Sequence, residues 1–475
     1  MKKIFQISLF TALMVFAVSC DDFGDINLDP NNTTSVAPAT LLTNSLGSIS
    51  SVVGSATEVL YTQMMSETQY TDASRYVTVN FDFNGWYTGP LANLKHIIDL
   101  NTDEATRTDA LQSGSNANQI AVARILRAYY FHVMTDRWGP LPYSQALQGR
   151  GNLEPGYDSQ EAIYTDLIKE LKEAVAQMDG GAGVKGDYLL GGKMAHWAKF
   201  ANSVRAIAAM RMSKVAPATA QAEFAAAVAS GVILEDSESV YYPYVADANN
   251  QNPWFARFIT RTDYAISSTL VDYMKPLNDP RLSAYADPAP NFGDVRGMPY
   301  GIDAAGDIPN DDVSFPGNPA VRGQNAPIGV VTNAQMHFLL AEGAHRGWIS
   351  GSAQAHYEAG IAASWRQWGV FDQAAFDAYI TNPTVAWNAG KALELIGYQK
   401  WVALYLQGIE AWSEWRRTGY PTLSPAPDAL SADGQIPRRL GYPTSERDLN
   451  ADNYSTALQL LGGPDELNTR MWWDK

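Results

Sequence analysis

Apolar residues in DSQEAIYTDLIKELKEAVAQMDGG recur at Ile163, Leu167, Leu171, Val175 and Met178, every three or four positions. That is the stripe of an amphipathic helix. Asp158 stands three residues before Glu161, close to a capping box, and Gly180 and Gly181 close the segment. KMAHWAKFANSVRAIAAMRMSKV repeats the pattern with Met194, Trp197, Ala201, Val204 and Ala208, and PATAQAEFAAAVASG runs back as a second helix. The clearest pair is TNAQMHFLLAEGAHRGWISGSAQAHYEAGIAASWRQWG. Thr332 and Gln335 form a capping box there, Gly347 ends the first helix, and Ser352 to Trp368 make the second. Further helices are read in NQIAVARILRAYYFHVMTDRW upstream and in KALELIGYQKWVALYLQGIEAWSEWRRTG downstream. Trp197, Trp365 and Trp412 fall on the inward faces of these helices and are expected in the core.

Helices joined by short turns, with Ala, Tyr and Gly on the facing sides, resemble tetratricopeptide hairpins, in irregular units without the strict repeat of about 34 residues. Two stretches break the pattern. Tyr70 to Pro90, YTDASRYVTVNFDFNGWYTGP, is aromatic, rich in Asn and Gly, and free of helical period. Glu235 to Pro327 carries too many Pro, Gly, Asn and Asp residues for long helices and reads as loops with short strands. Loops this long in a compact body tend to be functional. Their aromatic rings, amides, carboxylates and arginines offer the flat apolar faces and hydrogen-bonding groups that sugars or peptides require. The candidate ligand contacts are Tyr76 and Phe83 in the first stretch, and Trp254, Arg257, Tyr264, Arg296 and Tyr300 in the second. Trp86 stands where a helix can start and ranks below them.

The chain opens with MKKIFQISLFTALMVFAVSC, which holds Cys20, the only cysteine among 475 residues. Lys2 and Lys3 precede an apolar run too short and wrongly flanked for a spanning helix, which is the layout of a secretory signal. With small Ala17 and Ser19 before the cysteine, the segment resembles a bacterial lipoprotein signal, although Ala17 stands where such signals usually carry Leu. The resemblance implies cleavage after residue 19 and acylation of Cys20. DDFGDINLDPNNTTSVAP, Asp21 to Pro38, is too polar to order itself and reads as a tether. Its acidic start resembles the surface-export signal of Bacteroidetes lipoproteins. The expected organisation is a signal over residues 1–19, a lipidated tether over 20–38, and a single body over 39–475 with the 235–327 insertion.

Charge narrows the partners. Without Lys2 and Lys3, 32 basic residues face 50 acidic ones, a net of −18. An acidic body argues against nucleic acid and anionic lipid, which both need basic patches. No later apolar run reaches spanning length, so attachment to the outer membrane is expected to rest on the lipid alone.

Catalytic motifs are absent from the sequence. GDYLLGGKM has the outline of a phosphate loop, but Asp187 occupies the first glycine and Met194 the hydroxyl position. Neither G-x-S-x-G nor H-E-x-x-H occurs, and His337 and His345 are eight apart on one helix, too far for a paired ligand. No cofactor, nucleotide or metal site is expected. A glycosidase carboxylate pair among the 50 acidic residues is left open by sequence alone.

Several blocks resemble signatures of the SusD/RagB family: TDRWGPLPYSQAL (Thr135 to Leu147), FANSVRAIAAMRMS (Phe200 to Ser213), NDPRL (Asn278 to Leu282) and LLAEGAHRGWISG (Leu339 to Gly351). So do QKWVALYLQGIEAWSEWRRTGYPTL (Gln399 to Leu423), the segment Ile436 to Lys475, and INLDPN (Ile26 to Asn31). They run in order through nearly the whole mature chain. The resemblance implies a mainly α surface lipoprotein of about four tetratricopeptide-like hairpins. Such a protein captures glycans or peptides for a SusC-like TonB-dependent transporter. The alternatives from other classes are a surface glycoside hydrolase and a transporter lid with no ligand affinity. Within AWSEWRRTGYP, Glu414, Arg416 and Arg417 read either as a buried ion-pair set or as a transporter contact. The hairpins are expected to face the transporter, and the two loop stretches the nutrient.

Overall fold

The computed structural model describes residues 36–77 and 80–475, so the signal and Cys20 lie outside the described residues. Pro38–Lys475 form one compact unit. It begins with the short helices α1 (Pro38–Gly47), α2 (Ile49–Val53) and α3 (Thr57–Tyr61), followed after a strand by α4 (Ala92–Thr102). The remaining principal helices are α5 (Asn116–Trp138), α6 (Gln160–Gln177), α7 (Met194–Arg211), α8 (Pro217–Ala229), α9 (Asn333–His345) and α10 (Ala353–Gln367), then α11 (Ala392–Ala403), α12 (Gly408–Thr418) and α13 (Ala451–Leu461). Four hairpins result, α5 with α6, α7 with α8, α9 with α10 and α11 with α12, each packed on its neighbour in sequence. The mainly α reading with about four hairpins holds.

Helix starts follow the hydroxyl side chains. Ser115 accepts the Asn118 N–H at 3.1 Å, and Ser352 accepts that of Ala355 at 3.2 Å. At α6 the cap is Ser159, which accepts from Ala162 at 3.2 Å, one residue later than the box read from Asp158. Asp158 is instead spent in a strand and accepts from the Ser144 N–H at 2.7 Å. At α9 only half of the expected box forms: Thr332 accepts from the Gln335 N–H at 3.3 Å, while the Gln335 carbonyl oxygen turns inward.

Short strands tie down the irregular stretches. These are β1 (Met65–Glu67), β2 (Leu141–Pro142), β3 (Tyr157–Asp158), β4 (Val240–Tyr242), β5 (Tyr264–Ile266) and β6 (Ile328–Val331), paired antiparallel as β1–β5, β2–β3 and β4–β6. The insertion is loops and short strands as expected, and its longest helix has seven residues, Ser268–Met274. The 70–90 stretch differs from its reading. Asn84 to Leu91 is helical, and Pro90 sits inside the turn beside a kink at Gly89. Packing overrides local propensity here. The Phe83 ring meets Trp138 edge-on at 5.5 Å, and Tyr87 meets Phe131 at 6.0 Å.

Trp197, Trp365 and Trp412 are all buried, as the inward stripes require. Behind Trp412 lies a lattice of buried charge that settles the reading of Glu414, Arg416 and Arg417 as structural. Arg211 on α7 meets Asp136 on α5 at 3.3 Å, Glu410 at 2.6 Å, and Glu414. Arg417 meets Glu342 on α9 at 2.5 Å and Glu414 at 2.7 Å, and Lys400 on α11 meets Glu414 at 2.9 Å. Burial opposes ionisation of Glu414, but Arg417, Lys400 and Arg211 together hold its carboxyl well below the ordinary range. Arg416 has no carboxylate partner. It donates to the Asp136 and Arg438 carbonyls at 2.7 Å each and stacks 3.5 Å from the Trp412 ring. Burial therefore pushes its guanidinium down to about 9.

Trp412→Ala should cost about 3–5 kcal/mol in urea unfolding, the range for a large core truncation. Arg417→Leu should cost a similar 3–5 kcal/mol, because it removes the buried guanidinium shared by Glu342 and Glu414, leaving Glu342 only Arg346 and Glu414 only Lys400 and Arg211. Both carboxyls are depressed in the folded state, so their contribution is present above about pH 4.5 and is lost as pH falls. The gap between wild type and Arg417→Leu should narrow on acidification; a gap that widens would contradict the ion-pair account.

Candidate ligand-binding groove

A groove of about 1260 Å³ runs between the N-terminal helices and the insertion. The α1–α2 segment contributes Asn44, Ser50 and Ser51 to one wall. The insertion contributes Tyr242, Asn250, Arg257 and Tyr264 to the other, with Phe81 and Tyr188 at the sides. Gly54 lets the walls meet, since a Cβ there would come 2.5 Å from the Pro253 ring.

Each polar group is positioned by a neighbour. The Tyr188 and Tyr242 hydroxyls lie 3.1 Å apart, and Tyr242 donates to the Asn250 side-chain carbonyl at 3.0 Å. Ser50 donates to the Tyr244 hydroxyl at 3.1 Å across the two walls. Burial pushes the Tyr188 and Tyr244 hydroxyls up from their ordinary range, so both are neutral. Tyr188 owes its place to the glycine-rich turn before α7. The Asp187 carboxylate accepts the Leu189, Leu190 and Gly192 N–H groups at 3.0, 2.9 and 2.8 Å, and the Trp197 indole N–H at 2.8 Å. The backbone cradle that superficially matched a phosphate loop is thus filled by the chain's own carboxylate.

Among the described residues only two charged side chains line the groove, Arg137 and Arg257, and no carboxylate does. Arg137 is paired with Glu58 at 2.8 Å. Arg257 donates to the Gly54 carbonyl at 2.8 Å and lies 4.6 Å from the centre of the Trp254 ring. Burial lowers its pKa from the ordinary arginine value. Aromatic edges among neutral amides and hydroxyls suit an uncharged, polyhydroxylated ligand.

Of the residues expected as ligand contacts, Arg257 and Tyr264 line this groove. Tyr76, Phe83, Trp254 and Tyr300 are corrected as exposed stacking faces, because all four are buried. Tyr76 hydrogen-bonds the Ala426 N–H at 3.0 Å and sits between Tyr61 and Tyr300, with ring centres 6.1 and 6.4 Å away. Phe83 borders a second, smaller groove of about 680 Å³ near Leu153 and Leu449, with almost no exposed area of its own. Large rings gain more from core packing than loop composition reveals. Arg296 is half-exposed elsewhere on the insertion, stacked 3.6 Å from the Phe292 ring and bonded to Asp294 at 2.9 Å. Trp86 is partly buried and packs edge-on to Tyr130.

The rings that do reach solvent were not singled out by sequence. Phe81 and Tyr188 are each 37% exposed, and Tyr70 is 72% exposed beneath the Arg261 guanidinium at 4.4 Å. Tyr70 adopts a positive φ of 54°, unusual for a tyrosine, within the turn that Glu67 anchors. The Glu67 carboxylate accepts both the Ser74 N–H and its hydroxyl at 2.9 Å. Among the described residues no group of three or more His, Cys, Asp or Glu side chains is placed to hold a metal ion.

The architecture defines a class: a body of stacked helical hairpins that carries a groove built partly from a loop-rich insertion. Residues 30–443 match a family described as SusD-like, starch-binding, associating with the outer membrane. This chain belongs to the SusD-like family. Among solved structures, a chitin-binding protein superposes with a TM-score of 0.81 at 30% identity, over 92% of this chain and 99% of its own. A chitin-binding SusD homologue from Flavobacterium johnsoniae gives 0.79 at 28% identity, over 92% and 98%. A SusD homologue from Bacteroides fragilis gives 0.81 at 25% identity, over 93% and 100%. No curated protein matches the chain at the sequence level.

Burial raises the Glu67 carboxyl to about 7 from the ordinary 4.5, against the Ser74 donors that favour its ionised form. A raised folded pKa stabilises below the unfolded value, and that contribution is lost as pH climbs through the folded one. Between about pH 4.5 and 7 the protein should therefore lose stability from this group, on the order of 3 kcal/mol. In Glu67→Gln that loss should vanish from melting curves across the same window. An unchanged pH profile would remove Glu67 as its source.

Proposed function

We propose that this protein is a cell-surface, lipid-anchored glycan-binding protein that captures oligosaccharide in the 1260 Å³ groove for a SusC-like TonB-dependent transporter. The observation that carries the reading is the groove's lining of aromatic rings, amides and hydroxyls, with no carboxylate among the described residues, in a chain whose relatives include chitin-binding proteins. Glycoside hydrolysis needs an acid and a base or nucleophile on opposite sides of the scissile bond, and the described residues of these walls supply neither. Capture without turnover is the chemistry that fits. The family's association with the outer membrane, and the lack of any described helix long and apolar enough to cross a membrane, support attachment through Cys20.

Calorimetric titration of the protein with chito-oligosaccharides, malto-oligosaccharides and peptide pools should give binding to a glycan. A stacked ring adds about 1 kcal/mol beyond its buried area, so Tyr188→Ala or Phe81→Ala should weaken affinity roughly fivefold. Phe81→Ala should leave the melting temperature unchanged, while Tyr188→Ala, which also removes the Tyr242 contact, should lower it slightly. Peptide binding with no glycan binding would overturn the ligand class, and product release from the glycan would overturn capture without turnover. Cys20→Ala should move the protein out of the membrane fraction. Fatty-acid labelling of that variant would contradict the anchor.

A further inference from the structure

The back wall of the groove is also the wall of a second space. Ser50 and Ser51 of α2 face the groove, whereas Val52 and Val53 of the same helix line an internal chamber of about 50 Å³. Strand β6 closes the chamber with Gly329, Val330 and Val331, while its partner strand β4 gives Tyr242 to the groove. One helix and one strand pair separate the two.

The chamber is polar in an ordered way. His132 on α5, Gln335 on α9, and Gln407 and Glu410 at the start of α12 converge on it. Five of their atoms make no hydrogen bond to any described residue: Gln335 Oε1, Gln407 Oε1 and Nε2, His132 Nε2, which stands 3.7 Å from the Asp136 carboxylate, and Glu410 Oε1, which stands 3.9 Å from the Lys400 ammonium. His132, Gln335 and Gln407 are 5%, 2% and 5% exposed, so bulk water does not serve them. Gln335 is the residue whose side chain leaves its capping box half made. Gly329 keeps the space open, since a Cβ there would come 3.2 Å from the Gln407 amide. A polar group buried without a partner is costly, and one chamber with three orphaned amide atoms, from Gln335 and Gln407, calls for an occupant.

Charge decides what the occupant is. The carboxylates around the chamber are already matched: Arg211 meets Asp136 at 3.3 Å and Glu410 at 2.6 Å, and Lys400 stands 3.9 Å from Glu410. A further cation would face Arg211 and Lys400. An anion would face Glu410 and Asp136. Burial lowers the His132 pKa, so its ring is neutral and carries one donor and one acceptor nitrogen. The five atoms need both donors and acceptors, which a neutral molecule with both capacities supplies. Water does, and the volume admits a few.

We propose that the chamber is a binding site for a cluster of about two to four ordered waters, hydrogen-bonded to His132, Gln335, Gln407 and Glu410. The cluster joins α5, α9 and α12 directly behind the groove, whatever ligand the groove takes.

Crystals of the protein, native and soaked in rubidium, test this. The expected result is water-sized density within hydrogen-bonding distance of at least three of the five atoms and no anomalous peak. A chamber without density, side chains that turn to bond one another, or a rubidium peak would each overturn the proposal. Gln407→Leu should fold, lose at least one of these waters and melt several degrees lower. A leucine variant with unchanged melting temperature and unchanged chamber density would also overturn it.

Discussion

Everything in this fold hangs on the seam where Asp136, Arg211, Glu342, Lys400 and Arg417 meet around Glu414. Every hairpin sends at least one charge into it: Asp136 from the first, Arg211 from the second, Glu342 from the third, Lys400 and Arg417 from the last. Buried ion pairs add little net stability, because desolvation offsets much of their attraction. Their effect here is on register. A slip of one hairpin by a turn would leave a charge in the core with no partner, and the cost of that error far exceeds the worth of the correct pairing. The irregular hairpins lack a repeating sequence to align them, and this lattice does the aligning.

How the chain is built was largely legible, because helical periodicity and caps are local. The stripes at Ile163–Met178 and Met194–Ala208 became helices, and Thr332 and Ser352 cap where their spacing places them. The misplaced elements share one cause. Asp158 did not cap because β3 claimed it, and Asn84–Leu91 turned helical around a proline because Phe83 and Tyr87 had a core to fill. Both outcomes depend on partners well beyond the reach of a local sequence window, 14 residues away for Asp158 and over forty for Phe83 and Tyr87.

The groove was legible only in outline. Composition located a ring-rich loop and insertion, and Arg257 and Tyr264 are on its wall. It could not say that Tyr70 would face water while Tyr76, six residues on, would be buried. Nothing in SSVVG marked Ser50 and Ser51 as a wall either, because two serines beside two valines read as any amphipathic turn. That five-residue helix has no side-chain cap, and its C-terminal neighbour Gly54 is pressed against Pro253. It is held by what it touches on each side rather than by its own propensity.

A chain of net charge −16 with no carboxylate among the described residues of its groove also acts at a distance. Polyanions meet a repulsive field that extends about a Debye length, roughly 8–10 Å at physiological ionic strength, before they reach the walls. Uncharged chains feel no such barrier. Raising the salt should therefore leave the encounter rate of neutral polymers alone while it lets acidic ones approach. For any polymer nearing the groove, charge would set the rate of approach before a ring or amide touches it.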